Sequence, residues 1–144
     1  MNKQAKSTIL LLALILLVSG AFLMFFVSAW SDTGSLTQNV SGCGVLNTTN
    51  GVYTLNQSIS FAQWPAAPCL ILNASNITLN LNGYNLTGTT PGGGTGIKIL
   101  KFNVTIFNGT IFGAEAAIST DGAGATGNGY VIIKNMVMRG VLGV

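Results

Sequence analysis

The side chains that carry most protein chemistry are scarce in this chain, and their spacing narrows the options further. Its 144 residues include six Lys plus Arg, three Asp plus Glu, two Cys and no His. Without His there is no Ser-His-Asp or Cys-His pair, no His-ligated metal and no switch near physiological pH. Glycoside hydrolysis needs two carboxylates about 5–10 Å apart, and elimination chemistry needs carboxylates with Ca²⁺ and a basic group. From Thr33 to Ile97 there are 65 residues without a charge. Only Glu115 and Asp121 come later, with Lys134 and Arg139 further on. Asp121 and Arg139 on one face would make a rudimentary site; solvated surface charges are the plainer reading. No catalytic residue, metal ligand set or cofactor site is therefore expected.

Charge also limits partners. Beyond Trp30 the basic residues are Lys98, Lys101, Lys134 and Arg139 and the acidic ones Asp32, Glu115 and Asp121, a net of +1. So neutral a surface offers nucleic acid no electrostatic footprint. Disorder is excluded too, because 49% of residues are hydrophobic and net charge is small.

Two glycine-rich stretches imitate phosphate-binding motifs. Gly122-Ala123-Gly124-Ala125-Thr126-Gly127 fits G-x-G-x-x-G, but that fingerprint must open a helix and here a strand pattern begins at Tyr130. Pro91-Gly92-Gly93-Gly94-Thr95-Gly96 lacks the Gly-Lys-Ser/Thr ending of a P-loop and reads as a turn.

The elements that must position any site begin with an address. Lys3 and Lys6 precede an uncharged apolar run from Ile9 to Ala29. It suits a secretory signal, with small-residue cleavage candidates at Val27-Ser28-Ala29 and Ser19-Gly20-Ala21. It also suits an uncleaved anchor, since about 20 apolar residues cross a bilayer. Both readings place the N-terminus in the cytoplasm and export the chain beyond residue 30. A buried soluble helix is the bland alternative.

Downstream features agree with export. Residues 31–144 contain 13 Asn, and 21 of the 114 positions are Ser or Thr. Chance gives about two to three Asn-x-Ser/Thr triplets, yet eight occur, each a candidate glycan acceptor. They start at Asn39, Asn47, Asn56, Asn73, Asn76, Asn85, Asn103 and Asn108. A turn-to-strand junction also generates Asn-x-Thr without any sugar, which suits Asn76 and Asn103; Asn73 and Asn76 lie too close for both to be occupied. The two cysteines, Cys43 and Cys69, are read as one disulfide of an exported domain.

The strongest pattern is a repeat. Asn76-Ile77-Thr78-Leu79, Asn103-Val104-Thr105-Ile106 and Tyr130-Val131-Ile132-Ile133 recur at an offset of 27, as do Asn108 and Asn135. Leu70 and Leu72 precede Ile97 and Ile99 by the same interval. Within each unit apolar residues alternate, giving short half-buried strands bounded by Gly or Asn. A unit that cannot bury its own apolar face must stack on a neighbour. Strands of four to six residues at this period predict an all-β, right-handed parallel β-helix of about four coils, preceded by one N-terminal hydrophobic helix. Ile77, Val104 and Val131 would form one interior stack, Leu79, Ile106 and Ile133 another, and Asn108 would stack on Asn135. An antiparallel sandwich is the alternative, but gives no reason for the register. The expected layout is an export segment over 1–30, a linker over 31–42 and a β-helix over 43–144.

These residues also carry a resemblance. Cys43-Gly44, Val52-Tyr53-Thr54-Leu55, Cys69, the run from Ile71 to Gly88 and Gly96-Ile97 resemble the opening of right-handed parallel β-helix proteins of the pectin-lyase-like superfamily, in particular NosD-like surface proteins. The resemblance covers roughly 43–144 and implies that a Cys43–Cys69 bridge staples the N-terminal end. Relatives often carry Asp near the position of Asn80, where this chain is neutral. The scaffold hosts lyases, hydrolases, adhesins and coats, so it implies fold more than activity.

Expected function rests on the uncharged exterior of Asn, Thr, Ser and Gln with Tyr53, Tyr84 and Tyr130. It suits a cell-surface module with a structural, carbohydrate-binding or adhesive role, its partners being carbohydrate or surface components and a membrane through residues 9–29. The alternative is the N-terminal portion of a polysaccharide lyase or hydrolase with catalytic coils beyond residue 144. A third reading, an accessory to a surface metalloenzyme, lacks a copper-type ligand set. Val141-Leu142-Gly143-Val144 reads as the start of another strand, so either the chain continues or another chain makes end-to-end contact with an open coil.

Overall fold

The computed structural model describes residues 30–62, 67–89, 94–120 and 129–140. The export segment, Asp121, the stretch 122–127 and Val141–Val144 lie outside these residues. Among the described residues there is no helix long and apolar enough to cross a membrane.

Period-two alternation becomes strand throughout. The strands are β1 (Thr37–Val40), β2 (Gly44–Leu46), β3 (Val52–Leu55), β4 (Ile59–Phe61), β5 (Leu70–Leu72), β6 (Thr78–Asn80), β7 (Asn85–Gly88), β8 (Thr95–Ile99), β9 (Val104–Phe112), β10 (Ala116–Ser119) and β11 (Val131–Arg139). Every pairing between them is parallel. Parallel neighbours cannot be joined by tight hairpins, which removes the sandwich and leaves an all-β, β-helix-like winding.

Three ladders result. One runs β1, β3, β6, the first half of β9 and the first half of β11. A second runs β4, β7 and the second halves of β9 and β11. The third runs β2, β5, β8 and β10. Thr78 pairs with Thr105 and Val104 with Val131, the 27-residue offset read from sequence. Elsewhere the turn absorbs the difference: Asn85 meets Thr110 and Thr95 meets Ala116 at shorter intervals.

Inward positions form stacked apolar columns. Leu79 lies between Tyr53 and Ile106, and Ile106 beside Ile133. Leu70, Ile97 and Ile118 make another column, and Leu46, Leu72 and Ile99 a third. The residues of all three are buried except Ile133, whose strand has no described neighbour beyond it. Parallel strands buried in this way draw on the hydrophobic effect at about 25 cal/mol per Å².

β9 and β11 each span nine residues, longer than the expected four to six. Asn108 and Asn135 explain it: at φ 60° and 53° they turn a corner in the left-handed region, and the strand passes from one ladder to the next unbroken. Asn tolerates this conformation because its short amide can bond locally. Asn135 Nδ2 donates to Asn108 Oδ1 at 3.4 Å, as the expected stack requires. Asn50, Asn76 and Asn103 turn a second set of corners at φ 61–62°. Asn76 Nδ2 donates to Asn50 Oδ1 at 2.9 Å.

Two parts of the expected layout change. Tyr53, expected on the polar exterior, is fully buried; as the second residue of β3 it comes after outward Val52 and points inward with Leu55. Residues 37–40, within the expected linker, form β1 and pair with β3.

Candidate functional site

The charged residues are scattered. Glu115 is exposed in the turn before β10, Lys98 faces outward on β8, and Lys134 Nζ lies 5.4 Å from the centre of the Phe107 ring. Among the described residues no group of His, Cys, Asp and Glu is placed to hold a metal. Asp121 lies outside the described residues, so its convergence with Arg139 has no geometry to weigh.

Arg139 instead belongs to a cleft on the outer face of the second ladder. Register builds it. Asn85 pairs with Thr110, which pairs with Val137; Thr87 pairs with Phe112, which pairs with Arg139. These six side chains line an open volume of about 450 Å³. Each strand supplies residues two apart, so both project to one face. Phe112 is 50% exposed and offers an aromatic surface. Asn85, Thr87 and Thr110 offer neutral donors and acceptors, and Arg139 a planar fork of N–H donors. An apolar platform with a few convergent polar groups is the usual make-up of a ligand site.

The other organised polar site closes the β1 end. Asp32 accepts hydrogen bonds from Gly34 N, Gln38 Nε2, Asn47 N, Thr48 N, Thr48 Oγ1 and Tyr53 Oη, the last at 2.5 Å. Burial alone would raise its pKa, but the bonds from Tyr53, Gln38 and the backbone outweigh burial and hold the carboxyl well below its usual range. The Tyr53 phenol is pushed up, by burial and then by its bond to Asp32, and so keeps its proton. Gln38, the buried polar residue of β1, has its Oε1 bonded by Thr33 N and Oγ1 at 2.8 and 3.0 Å. Trp30 completes the closure. Its ring meets Tyr53 edge-on at 5.9 Å, its N donates to Cys43 O and its Nε1 to Asn39 O. Its buried polar groups are bonded to one another rather than turned toward a ligand, which makes this a structural cap.

Beside the cap, Cys43 and Cys69 are disulfide-bonded, joining the residues just ahead of β2 and β5. The sequon asparagines divide by environment. Asn73 Nδ2 donates to Asn47 Oδ1 at 3.0 Å and Asn76 Nδ2 to Asn50, both bonds running between successive strand layers. Asn103 and Asn108 occupy left-handed corners, where Oδ1 accepts from Tyr130 N and Asn135 Nδ2. Asn39, Asn56 and Asn85 are exposed, and their side-chain Nδ2 atoms make no hydrogen bond among the described residues.

Sequence reasoning singles out neither the cleft nor the cap. A signal for the cleft exists: extending the repeat past Asn108 places Thr110 and Phe112 against Val137 and Arg139. Asp32 has only a weaker one, as the lone carboxylate ahead of a long uncharged stretch. Compared with known proteins, the chain matches no family model, no curated protein and no solved structure.

Proposed function

We propose that the chain is an exported right-handed parallel β-helix of about four coils, of the pectin-lyase-like kind, that serves at the cell surface in a structural or carbohydrate-binding role. The cleft over β7, β9 and β11 carries the reading: an exposed aromatic, neutral hydroxyls and amides and one guanidinium, with no carboxylate among its lining residues. Handedness accords with the strong preference of parallel crossovers for the right-handed sense. The disulfide supports delivery to an oxidising compartment, and the outward Asn and Thr positions suit contact without charge.

A glycan array probed with the purified, unglycosylated protein tests it. Binding that falls at least about tenfold, or 1.4 kcal/mol, in Phe112→Ala is expected, with no new reducing or unsaturated ends in the bound saccharide. Cleavage products would favour the lyase or hydrolase reading. Absence of binding together with retention in the cytoplasm would sink the proposal.

A further inference from the structure

We infer that Asn85 accepts an N-linked glycan and that the first sugars of this glycan lie in the cleft, so that the carbohydrate held there is the chain's own. The inference rests on the exported, carbohydrate-contact reading and names its ligand.

Asn85-Leu86-Thr87 is the one acceptor triplet whose Asn and Thr both line the cleft. Its extended conformation in β7 puts both side chains on the outer face, while Leu86 is buried beneath them. The Asn85 backbone N donates to Ser58 Oγ at 3.2 Å, which fixes the strand and leaves the side-chain amide to the cleft. Other acceptors differ in ways that matter. Asn73 and Asn76 use the reactive nitrogen to bond the preceding layer, and Asn103 and Asn108 serve at corners. Asn39 and Asn56 are open but do not line this cleft.

The neighbours of Asn85 suit a sugar fixed at that point. Thr110 is directly opposite, and Phe112 is two residues further along the paired strand, the diagonal reach of a large group. The ring can receive the C–H face of a pyranose, with Thr110 beside Asn85 and Arg139 beyond the ring as hydrogen-bond donors. A covering sugar also accounts for a half-exposed phenylalanine beside exposed Val137 on an otherwise polar face.

The chemistry is a substitution without redox change. Asn85 Nδ2 attacks C1 of an oligosaccharide carried on a polyprenyl phosphate, supplied by the glycosylation machinery of the export compartment. The N–C1 bond forms as the C1–O bond to the phosphate breaks. One amide proton is lost, and the lipid phosphate leaves as the free acid.

The test expresses the full chain in a host that N-glycosylates exported proteins, maps occupied sites by glycopeptide mass spectrometry, and times release by peptide-N-glycosidase. Asn85 is expected to be occupied, with release at least about tenfold slower from the native than from the unfolded protein. Phe112→Ala, or Arg139→Gln should the first variant fold poorly, is expected to speed native release at least severalfold. Sugar on other sequons with Asn85 bare overturns the inference and leaves export standing. Sugar on Asn85 released equally fast from native and unfolded chains overturns the seating. Eight bare sequons in a chain left in the cytoplasm overturn both.

Discussion

Asp32 shows how much one carboxylate can organise. It accepts from side chains and backbone over Gly34 to Tyr53 and is the common acceptor on which those donors converge. Asp32→Asn keeps the shape but turns one acceptor oxygen into a donor against donors, and should cost about 1–2 kcal/mol. The pH dependence has a definite sign. The folded pKa lies below the unfolded value of about 3.9, so the carboxylate stabilises fully above that pH, and the contribution fades as pH falls toward the folded value. Urea midpoints at about pH 6 and pH 3 should therefore diverge more for the parent than for the Asn variant; equal shifts would deny Asp32 this role. None of this is legible in the sequence, because the donors are set by the folding back of 30–36 over β1 and β3, and a charge count treats Asp32 as solvated.

Among the elements, β9 and β11 show where pattern reading succeeds and where it stops. The alternation and the 27-residue offset identify inward Val104, Ile106 and Ile133 and the Asn108–Asn135 stack, since both depend on spacing alone. Continuity through the corner depends on backbone sign at Asn108, which spacing does not carry. Tyr53 escapes the pattern for a related reason: an aromatic with a polar tip fits either face, and only the partner for its hydroxyl decides. Gly109 is the tight point of β9. A β-carbon there would strike the Cβ and Cδ2 of buried Leu81, neither of which has room to retreat. Gly109→Ala should therefore lose about 1–3 kcal/mol, seen as a lower denaturant midpoint at constant m. An unchanged midpoint would show that this layer can shift.

For the whole molecule, the disulfide and the repeat are legible because both are matters of count and interval, whereas the cleft emerges only when register sets three strands side by side. The Cys43–Cys69 link spans 26 residues and ties β2 to the layer that contains β5. Replacing both cysteines with Ser should lower stability by about 3 kcal/mol through the freed unfolded chain, with the parent matching the variant once reduced. A variant as stable as the oxidised parent would make the link incidental. The capped end has a further effect on how copies meet. Leu36 and Val40 turn their carbonyls toward β3, where Val52 N and Asn56 N reach them, so the Asn39 carbonyl faces the opposite edge and is held by the Trp30 indole. Head-to-tail stacking, the route by which repeat folds grow into open fibres, needs two free edges of matching sense. With Trp30 fastened across β1, the Asn39 carbonyl is already taken, so a second copy meeting this edge would find an incomplete ladder there.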